Sequence, residues 1–358
     1  MLTFSAADRV LVLAPHPDDE SIATGGLLQV ARDAGAQLRV VVLTDGDNNP
    51  WPQRWVEKHW RIEAADRSRW GERRRAEARA AMRILGMTED QMRFLGLPDT
   101  GLTDLLMQAQ PQVIEVLREQ FAEFAPTVLV MPALSDRHPD HSAAHILARV
   151  ALAKCGCSMP LILTFGVHGN APDDNNAIVS LSAAQRDTKQ TAIFAHTSQM
   201  QLSSRRFLGY AKLTEEYQSV MPAPDPSRHH PLRLGSDHEA MELSVIIDLH
   251  RLAGGLRHRV LFVVLESARG STRWLIQPGS PAGQTEVVSA VDGSVITTAR
   301  WHRNAGLLDG RISLASGETV TQGFVKLARQ QPGWRVFDAA GWQTLGILNE
   351  TPKQPEWH

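Results

Sequence analysis

Short apolar runs alternate with helical patterns along the first 220 residues of the chain. Continuous apolar runs such as RVLVLA are typical of strands that are covered on both faces. The predicted strands are Arg9–Ala14, Leu38–Leu43, Met92–Leu95, Thr127–Met131 and Leu161–Phe165. The predicted helices are Ser21–Ala34, Glu72–Leu85, Val113–Phe124, His141–Ala153 and Ala183–Phe194. This alternation predicts an α/β domain with a mostly parallel sheet and helices on both faces.

The pattern changes near Met221, where a stretch rich in proline and polar residues predicts a linker or surface loop over residues 221–240. Beyond it, short β-like runs are separated by turn signals such as PGSPAG and VDGS. These runs are Val260–Leu265, Trp274–Gln277, Glu286–Val291, Ser294–Arg300, Arg311–Leu314 and Gly333–Phe337. We therefore predict an α/β domain over residues 1–220 and a small, sandwich-like all-β domain over residues 241–350.

The composition and charge of the chain exclude several classes of protein. A hydrophobic fraction of 43% and a charged fraction of 21% are typical of a soluble globular protein. The formal net charge of −2 gives no general attraction to nucleic acid. The first apolar run, Val10–Ala14, is too short for a signal segment or a membrane span, which predicts a cytoplasmic protein. Cys155 and Cys157 form a C-x-C pair that predicts two inert thiols. The oligomeric state stays open.

Two strings carry the candidate chemistry, APHPDDE at Ala14–Glu20 and RHPDH at Arg137–His141. Each follows a predicted strand, and in an open α/β sheet ligands bind beyond the carboxyl ends of the strands. The two strings are therefore expected to meet in one crevice. Helix capping is the alternative role for one Asp in each string, but capping does not account for two His-Pro-Asp sequences.

The residue types favour a catalytic zinc site. His16, Asp19 and His141 would supply three ligands and leave a position for water. Asp18 is adjacent to a ligand, so it is the predicted general base and the proton donor to the leaving amine. His138 is predicted to stabilise the oxyanion, with Asp140 orienting it. His145, one helical turn after His141, is an alternative ligand, although a packed histidine is the favoured role.

At these residues the sequence resembles the PIG-L/LmbE-like deacetylase family. The family's A-H-P-D-D-E motif occurs here as PHPDDE, with Pro15 in the position where a small residue is common, and its H-P-D-H motif is unchanged at His138–His141. Three further family segments are similar to Arg74–Gly86, Leu95–Leu102 and Lys189–Gln199. The resemblance extends from about Arg9 to Gln218.

The resemblance implies a Rossmann-like fold and zinc-dependent removal of N-acyl groups from N-acetylglucosamine conjugates. It implies the same ligands, His16, Asp19 and His141, and the same roles for Asp18, His138 and Asp140. It also implies substrate contacts, which map to Arg74, Asp99 and His196. For His196, a structural hydrogen bond near the site is an equally weighted alternative.

Two groups of aromatic residues each have two possible roles. The segment Trp51–Trp70 contains four of the nine tryptophans and is either a substrate lid or a satellite core under a long loop. In the β domain, a set of tryptophans is either a sugar platform or buried core: Trp274, Trp301, Trp334 and Trp342.

Three functional hypotheses follow. The first is a zinc-dependent hydrolase that removes the N-acetyl group of an N-acetylglucosamine-type sugar or glycoconjugate. The second is an amidase acting on a thiol conjugate or another N-acyl conjugate, because the metal motifs do not distinguish these substrates. The third, of another class, is a carbohydrate-binding or scaffold protein with a vestigial metal site.

Overall fold

The structure of the chain is a computed structural model. It describes residues 1–168, 177–220, 230–237, 241–252, 255–256, 258–267, 270–279, 282–314, 320–329, 338 and 341–345. The chain divides into two compact units. The first consists of Met1–Thr103, Gln112–Asp136 and Asp140–Val220, and the second of Asp104–Pro111, Arg137–Pro139 and Met221–His358. The domain boundaries predicted from the sequence stay a prediction.

A seven-stranded sheet forms the centre of the first unit. Its strands are β1 Arg9–Ala14, β2 Gln37–Thr44, β3 Met92–Leu97, β4 Val128–Pro132, β5 Leu161–Phe165, β6 Ala177–Ser180 and β7 Thr214–Ser219. They lie in the order β3-β2-β1-β4-β5-β7-β6. Strands β1 to β5 are parallel, and β7 and β6 extend the edge in antiparallel pairing. The predicted Rossmann-like, mostly parallel sheet is confirmed.

Eight α-helices occur in the described part of the chain. They are α1 Asp19–Asp33, α2 Pro50–Glu57, α3 Ala64–Ile84, α4 Leu102–Met107, α5 Pro111–Phe124, α6 Pro139–Cys155, α7 Ala183–Ala195 and α8 Thr197–Leu208. None of the described helices combines the length and apolar character needed to cross a bilayer. Location in the cytoplasm stays a prediction.

The core of the first unit follows from the apolar runs. Val10 and Val12 of β1 and Val40 of β2 are fully buried, and Leu27 and Leu28 of α1 pack in the same cluster. Burial of apolar surface favours this packing by about 25 cal/mol of free energy per Å². Apolar packing covers β1 on both faces. The polar residues that follow this strand therefore lie beyond its carboxyl end, at the edge of the sheet.

One nine-stranded antiparallel sheet accounts for the described strands of the second unit. These are β8 Leu232–Asp237, β9 Glu242–Asp248, β10 Arg259–Ser267, β11 Gly270–Ile276, β12 Ala282–Ser289, β13 Val295–Asn304, β14 Leu307–Ser313, β15 Val320–Arg329 and β16 Gln343–Thr344. Their order is β16-β15-β10-β11-β12-β13-β14-β9-β8. Cα atoms of β15 and β16 come within 8 Å of β8, so the sheet nearly closes. The all-β class is confirmed, as one nearly closed sheet rather than two stacked sheets.

Three details differ from the sequence expectations or limit them. Strand β8 lies inside the segment predicted to be a linker, whereas residues 221–229 lie outside the described residues. The predicted strand Gly333–Phe337 also lies outside them. Cys155 and Cys157 form a disulfide, so the prediction of two free thiols is wrong.

Candidate active site

The carboxyl ends of β1 and β4 bring the candidate ligands together. β1 and β4 are adjacent and parallel, with Val10 opposite Val128. His16, Asp18 and Asp19 follow β1, and His141 lies in the first turn of α6, which follows β4. All four side chains are buried. The order of the strands reverses between β1 and β4, and open α/β sheets bind their ligands at such a point.

The three predicted metal ligands face one another. The Nδ1 atom of His16 lies 3.3 Å from Asp19 Oδ2, and the Nε2 atom of His141 lies 3.2 Å from the same oxygen. Ligand atoms that bind zinc tetrahedrally at about 2.0–2.1 Å are separated by about 3.3 Å. The spacing and the His₂Asp chemistry of this set therefore fit a zinc ion.

Carboxylates hold the opposite nitrogen of each histidine. His16 Nε2 lies 3.2 Å from Asp99 Oδ1 and 3.4 Å from Asp140 Oδ2. His141 Nδ1 lies 3.2 Å from Asp136 Oδ2. A ring nitrogen that donates to a carboxylate carries the proton, which leaves the lone pair of the other nitrogen for a metal. Both histidines are thus oriented with their metal-binding nitrogens toward Asp19.

Asp136 is a site residue that the sequence analysis missed. Its Oδ2 atom accepts the His141 ring proton and also the backbone amides of Val167, at 2.9 Å, and His168, at 3.1 Å. These contacts fix the carboxylate from a second loop of the same unit. The available signal was an acidic residue two positions before the H-P-D-H string, which by itself is equally typical of a turn.

The predicted general base, Asp18, is held by an arginine. Arg74 Nη2 lies 3.0 Å from Asp18 Oδ2 and donates to the carbonyl of Pro17 at 2.6 Å, while Nη1 donates to the carbonyl of Gly46 at 2.8 Å. Burial raises the pKa of the Asp18 carboxyl to about 6, although the Arg74 charge acts in the opposite direction. The residue also has φ 137°, a conformation costly for an L-residue. Strain and a perturbed pKa are both characteristic of functional sites.

The site contains more buried negative charge than its histidines balance. Burial lowers the pKa of His16, but the Asp140, Asp19 and Asp99 carboxylates outweigh it and hold this pKa well above its ordinary value. For His141, Asp19 and Asp136 likewise outweigh burial and raise the pKa to about 10. The buried carboxylates are Asp18, Asp19, Asp99, Asp136 and Asp140. A divalent cation would neutralise this excess and displace the imidazole protons.

The side chains expected to contact substrate make protein contacts. Arg74 donates to Gly46, Pro17 and Asp18. Asp99 Oδ2 accepts the Asn48 amide at 2.7 Å while Oδ1 faces His16. His196 Nε2 lies 2.9 Å from Ser21 Oγ and 3.3 Å from Glu20 Oε1, which favours the structural alternative for this histidine. Substrate contacts by these residues stay predictions.

The remaining histidines take different positions. His145 Nδ1 lies 2.9 Å from the carbonyl of Pro132, and burial lowers its pKa to about 3, which favours the packed histidine over the alternative ligand. His138 is buried in Arg137–Pro139, a segment of the second unit, and its role at the oxyanion stays a prediction. Asp140 also accepts the backbone amides of Thr100 and Leu102, at 2.7 Å and 3.1 Å.

Comparison with known families identifies the region that carries this geometry. Residues 11–152 match the PIG-L model, described as GlcNAc-PI de-N-acetylase. The chain carries a PIG-L family domain. The resemblance predicted from the sequence is confirmed. The matched range of the PIG-L domain includes the two histidines, Asp19, and the carboxylates around them.

The relatives of the PIG-L domain are named deacetylases. The chain is 30% identical over 166 residues to the 1D-myo-inositol 2-acetamido-2-deoxy-alpha-D-glucopyranoside deacetylase of Mycobacterium sp. (strain KMS), covering 42% of this chain and 52% of the relative. It is 33% identical over 168 residues to the enzyme of the same name from Actinosynnema mirum, covering 42% and 57%. The chain therefore spans about half the length of the curated relatives it matches.

Among solved structures, the conserved protein TT1542 from Thermus thermophilus aligns with 62% of this chain and 98% of its own, with a TM-score of 0.46 and 26% identity.

The tryptophans divide between the open alternatives. In the segment Trp51–Trp70, Trp70 is fully buried in α3, whereas Trp51, Trp55 and Trp60 are exposed by 55%, 67% and 75%. A lid role for the segment stays a prediction. In the second unit, Trp274, Trp301 and Trp342 are exposed by 4% or less, which favours buried core over a sugar platform, and Trp334 lies outside the described residues.

Proposed function

We propose that this chain is a zinc-dependent N-deacetylase that hydrolyses the acetamide of an N-acetylglucosamine-type sugar or glycoconjugate. The observation that carries the proposal is the convergence of His16 and His141 on Asp19, with ligand-atom spacings of 3.2 and 3.3 Å. A protonatable carboxylate, Asp18, is adjacent to this set in the chain. Metal ligands and a base are the groups that hydrolysis of an unactivated amide needs.

Each residue of the site has its own role in the reaction. His16, Asp19 and His141 would hold the zinc, which when bound polarises the acyl carbonyl and acidifies water. Asp18 accepts a proton from the attacking water as its oxygen adds to the acyl carbon. The same proton then passes from Asp18 to the amine nitrogen as the carbon–nitrogen bond breaks. The products are acetate and the free amino sugar.

Arg74 keeps Asp18 in place for both proton transfers. Its three hydrogen bonds, to Gly46, Pro17 and Asp18, tie the base to two loops of the same unit. We assign the oxyanion to His138, with Asp140 as its partner. Zinc as the native ion and the amino sugar as the substrate are supported by the donor set and by the names of the relatives.

The decisive experiment compares Asp18→Asn with the wild-type chain after both are loaded with zinc. The variant keeps the ligands, so we expect one zinc per chain and a kcat for acetate release from N-acetylglucosamine glycosides that is lower by about 10²–10⁴-fold. Asp187→Asn, which removes an exposed carboxylate from α7, is the matched control.

Three outcomes would contradict the proposal. Full turnover by Asp18→Asn would remove the base from the mechanism. The zinc-loaded wild type could release acetate from no amino sugar and yet cleave another N-acyl conjugate. This result would favour the amidase hypothesis. Failure to bind zinc at all would favour the scaffold hypothesis.

A further inference from the structure

A charged cavity of about 620 Å³ lies in the first unit and is not part of the zinc-binding geometry. One wall is a stripe of α3, and the other is the loop that follows β2. The helix residues recur at intervals of three and four, so they share one helical face. The polar lining residues are Arg67, Ser68, Glu72 and Arg75 of α3, and Asp45 and Asp47 of the loop. The volume is in the range of small-molecule binding sites.

The loop Asp45–Asn48 lies between this cavity and the candidate active site. Its alternate residues contact the site: the Gly46 carbonyl accepts from Arg74, which holds Asp18, and the Asn48 amide donates to Asp99, which faces His16. The intervening residues, Asp45 and Asp47, line the cavity. The cavity and the site therefore share one four-residue wall.

Gly71 lets α3 pack closely against the loop beside the cavity. A Cβ added to Gly71 would lie 3.0 Å from the Asp45 Cβ and 3.3 Å from the Asp47 Cβ, so any side chain there would press on the opposite wall. Ser68, the preceding lining residue on this face of the helix, is small and exposed. The short side chain at this exposed position leaves room in the cavity.

The charges of the lining favour a neutral or cationic ligand. Arg75 is bonded to both oxygens of Asp45, at 2.6 and 2.5 Å, so this pair is internally neutralised. That leaves the carboxylates of Asp47 and Glu72 against the single guanidinium of Arg67. Burial, and then the nearby Asp99 charge, raise the pKa of Asp47. An added phosphate would meet repulsion, whereas hydroxyl groups find both acceptors and donors.

We propose that this cavity binds the group attached to the acylated sugar, and that it selects neutral hydroxylated groups over phosphorylated ones. The inference rests on the proposed function, because it places the acylated ring at Asp18 and its substituent beyond the loop Asp45–Asn48. It goes further in naming the chemistry of the substituent. The cavity adds specificity and takes no part in cleaving the amide.

Filling the cavity is the first test. Ser68→Phe places a ring in the volume from an exposed helix position, and Ala65→Phe places the same ring on α3 away from the lining. With zinc-loaded protein, we expect Ser68→Phe to raise the KM for N,N'-diacetylchitobiose at least tenfold. The kcat/KM for free N-acetylglucosamine should stay within twofold, and Ala65→Phe should change neither. Equal effects on both sugars, or none on either, would overturn the proposal.

The second test removes the negative charges of the cavity and measures the preference between phosphorylated and neutral sugars. For N-acetylglucosamine 1-phosphate relative to N-acetylglucosamine, we expect the ratio of kcat/KM to rise about tenfold in the double variant Asp47→Asn, Glu72→Gln. Glu119→Gln, an exposed change on α5, is the control and should leave the ratio unchanged. An unchanged ratio in the double variant would remove the charge selection.

Binding distinguishes failure of this inference from failure of the proposed function. Calorimetry with N,N'-diacetylchitobiose should show binding to wild type and at least tenfold weaker binding to Ser68→Phe, whether or not acetate is released. If no amino sugar is hydrolysed but this difference is present, the proposed function fails and the cavity assignment stands. If wild type and Ser68→Phe bind the sugar equally, or neither binds it, the cavity assignment fails.

Discussion

Buried charges are arranged differently in the two compact units. In the described part of the first unit, the carboxylates around His16 and His141 crowd one edge of a parallel sheet. In the described part of the second unit, two buried cations each lie beside one carboxylate: Arg273 lies 2.9 Å from Glu266, and Lys326 contacts Asp338. A buried pair neutralises itself, whereas an excess of one sign must be compensated by something else. The contrast indicates a cation site in the first unit and structural pairs in the second.

Zinc affinity is the measurement that separates the two arrangements, and the largest effect is expected at Asp19. Its Oδ2 atom is the one oxygen that both histidines approach, so Asp19→Ala removes the centre of the donor set. We expect zinc affinity, measured by competition with a chelator, to fall by more than about a hundredfold, because partners outside the ligand set alone are worth 10–100-fold. Acetate release should be abolished.

The control for Asp19→Ala is Asp187→Ala on the exposed face of α7. Thermal unfolding of the zinc-free proteins checks that both variants fold. Zinc affinity retained by a folded Asp19→Ala protein would show that the ion sits elsewhere, for example on the outer side of His16, where Asp99 and Asp140 lie.

A smaller loss is expected at Asp136. In Asp136→Asn the carboxylate that fixes His141 Nδ1 becomes an amide, which still fills the space but carries no charge. Zinc affinity should fall by about 10–100-fold, as is usual for partners that orient a ligand. The KM for substrate in zinc-saturated protein should stay near the wild-type value, because Asp136 acts through the histidine. Asp187→Asn serves as the control, and a change in KM without a change in zinc affinity would contradict this role.

Asp99→Asn should weaken zinc binding less than Asp136→Asn. His16 Nε2 has two carboxylate neighbours, so Asp140 at 3.4 Å remains after Asp99 at 3.2 Å is neutralised. We expect a loss of less than about tenfold in zinc affinity, the lower limit for such partners. If Asp99 instead contacts sugar hydroxyls, as the family resemblance implies, KM rises while zinc affinity is unchanged. The same titration and kinetics therefore decide between the two roles.

Much of this geometry could be predicted from the sequence because local and tertiary signals agree. The run RVLVLA is apolar on both faces, so β1 has one plausible place, in the middle of the sheet. Two His-Pro-Asp strings after strands then had to converge at the carboxyl edge. His16, Asp19 and His141 do converge in the structure, and their roles as ligands stay a prediction.

The parts that escaped prediction depend on partners far away in the chain. Asp136 is recognisable only once the loop carrying Val167 and His168 supplies its other donors. Helix α2 begins at Pro50 in a Pro- and Trp-rich stretch that by composition indicates a loop, and it is capped by the Asn49 side chain. Strand β8 lies in a proline-rich segment and is specified by pairing with β9. Tertiary contacts override weak local preference in each case.

The smallest expected effect on zinc binding comes from the second unit, at Glu266. Glu266→Gln leaves Arg273 buried without its carboxylate, although the Arg273 Nε bond to the Leu106 carbonyl, at 3.0 Å, remains. Breaking a buried pair on one side costs about 3 kcal/mol of the free energy of unfolding. We expect that loss in denaturant titrations followed by tryptophan fluorescence, while Glu286→Gln on an exposed position of β12 changes little. Zinc affinity and acetate release should stay within twofold of wild type in both variants. A zinc affinity that falls with Glu266→Gln would mean that the paired charges of the second unit also support the metal site, and the distinction between excess and paired charge would no longer separate function from structure.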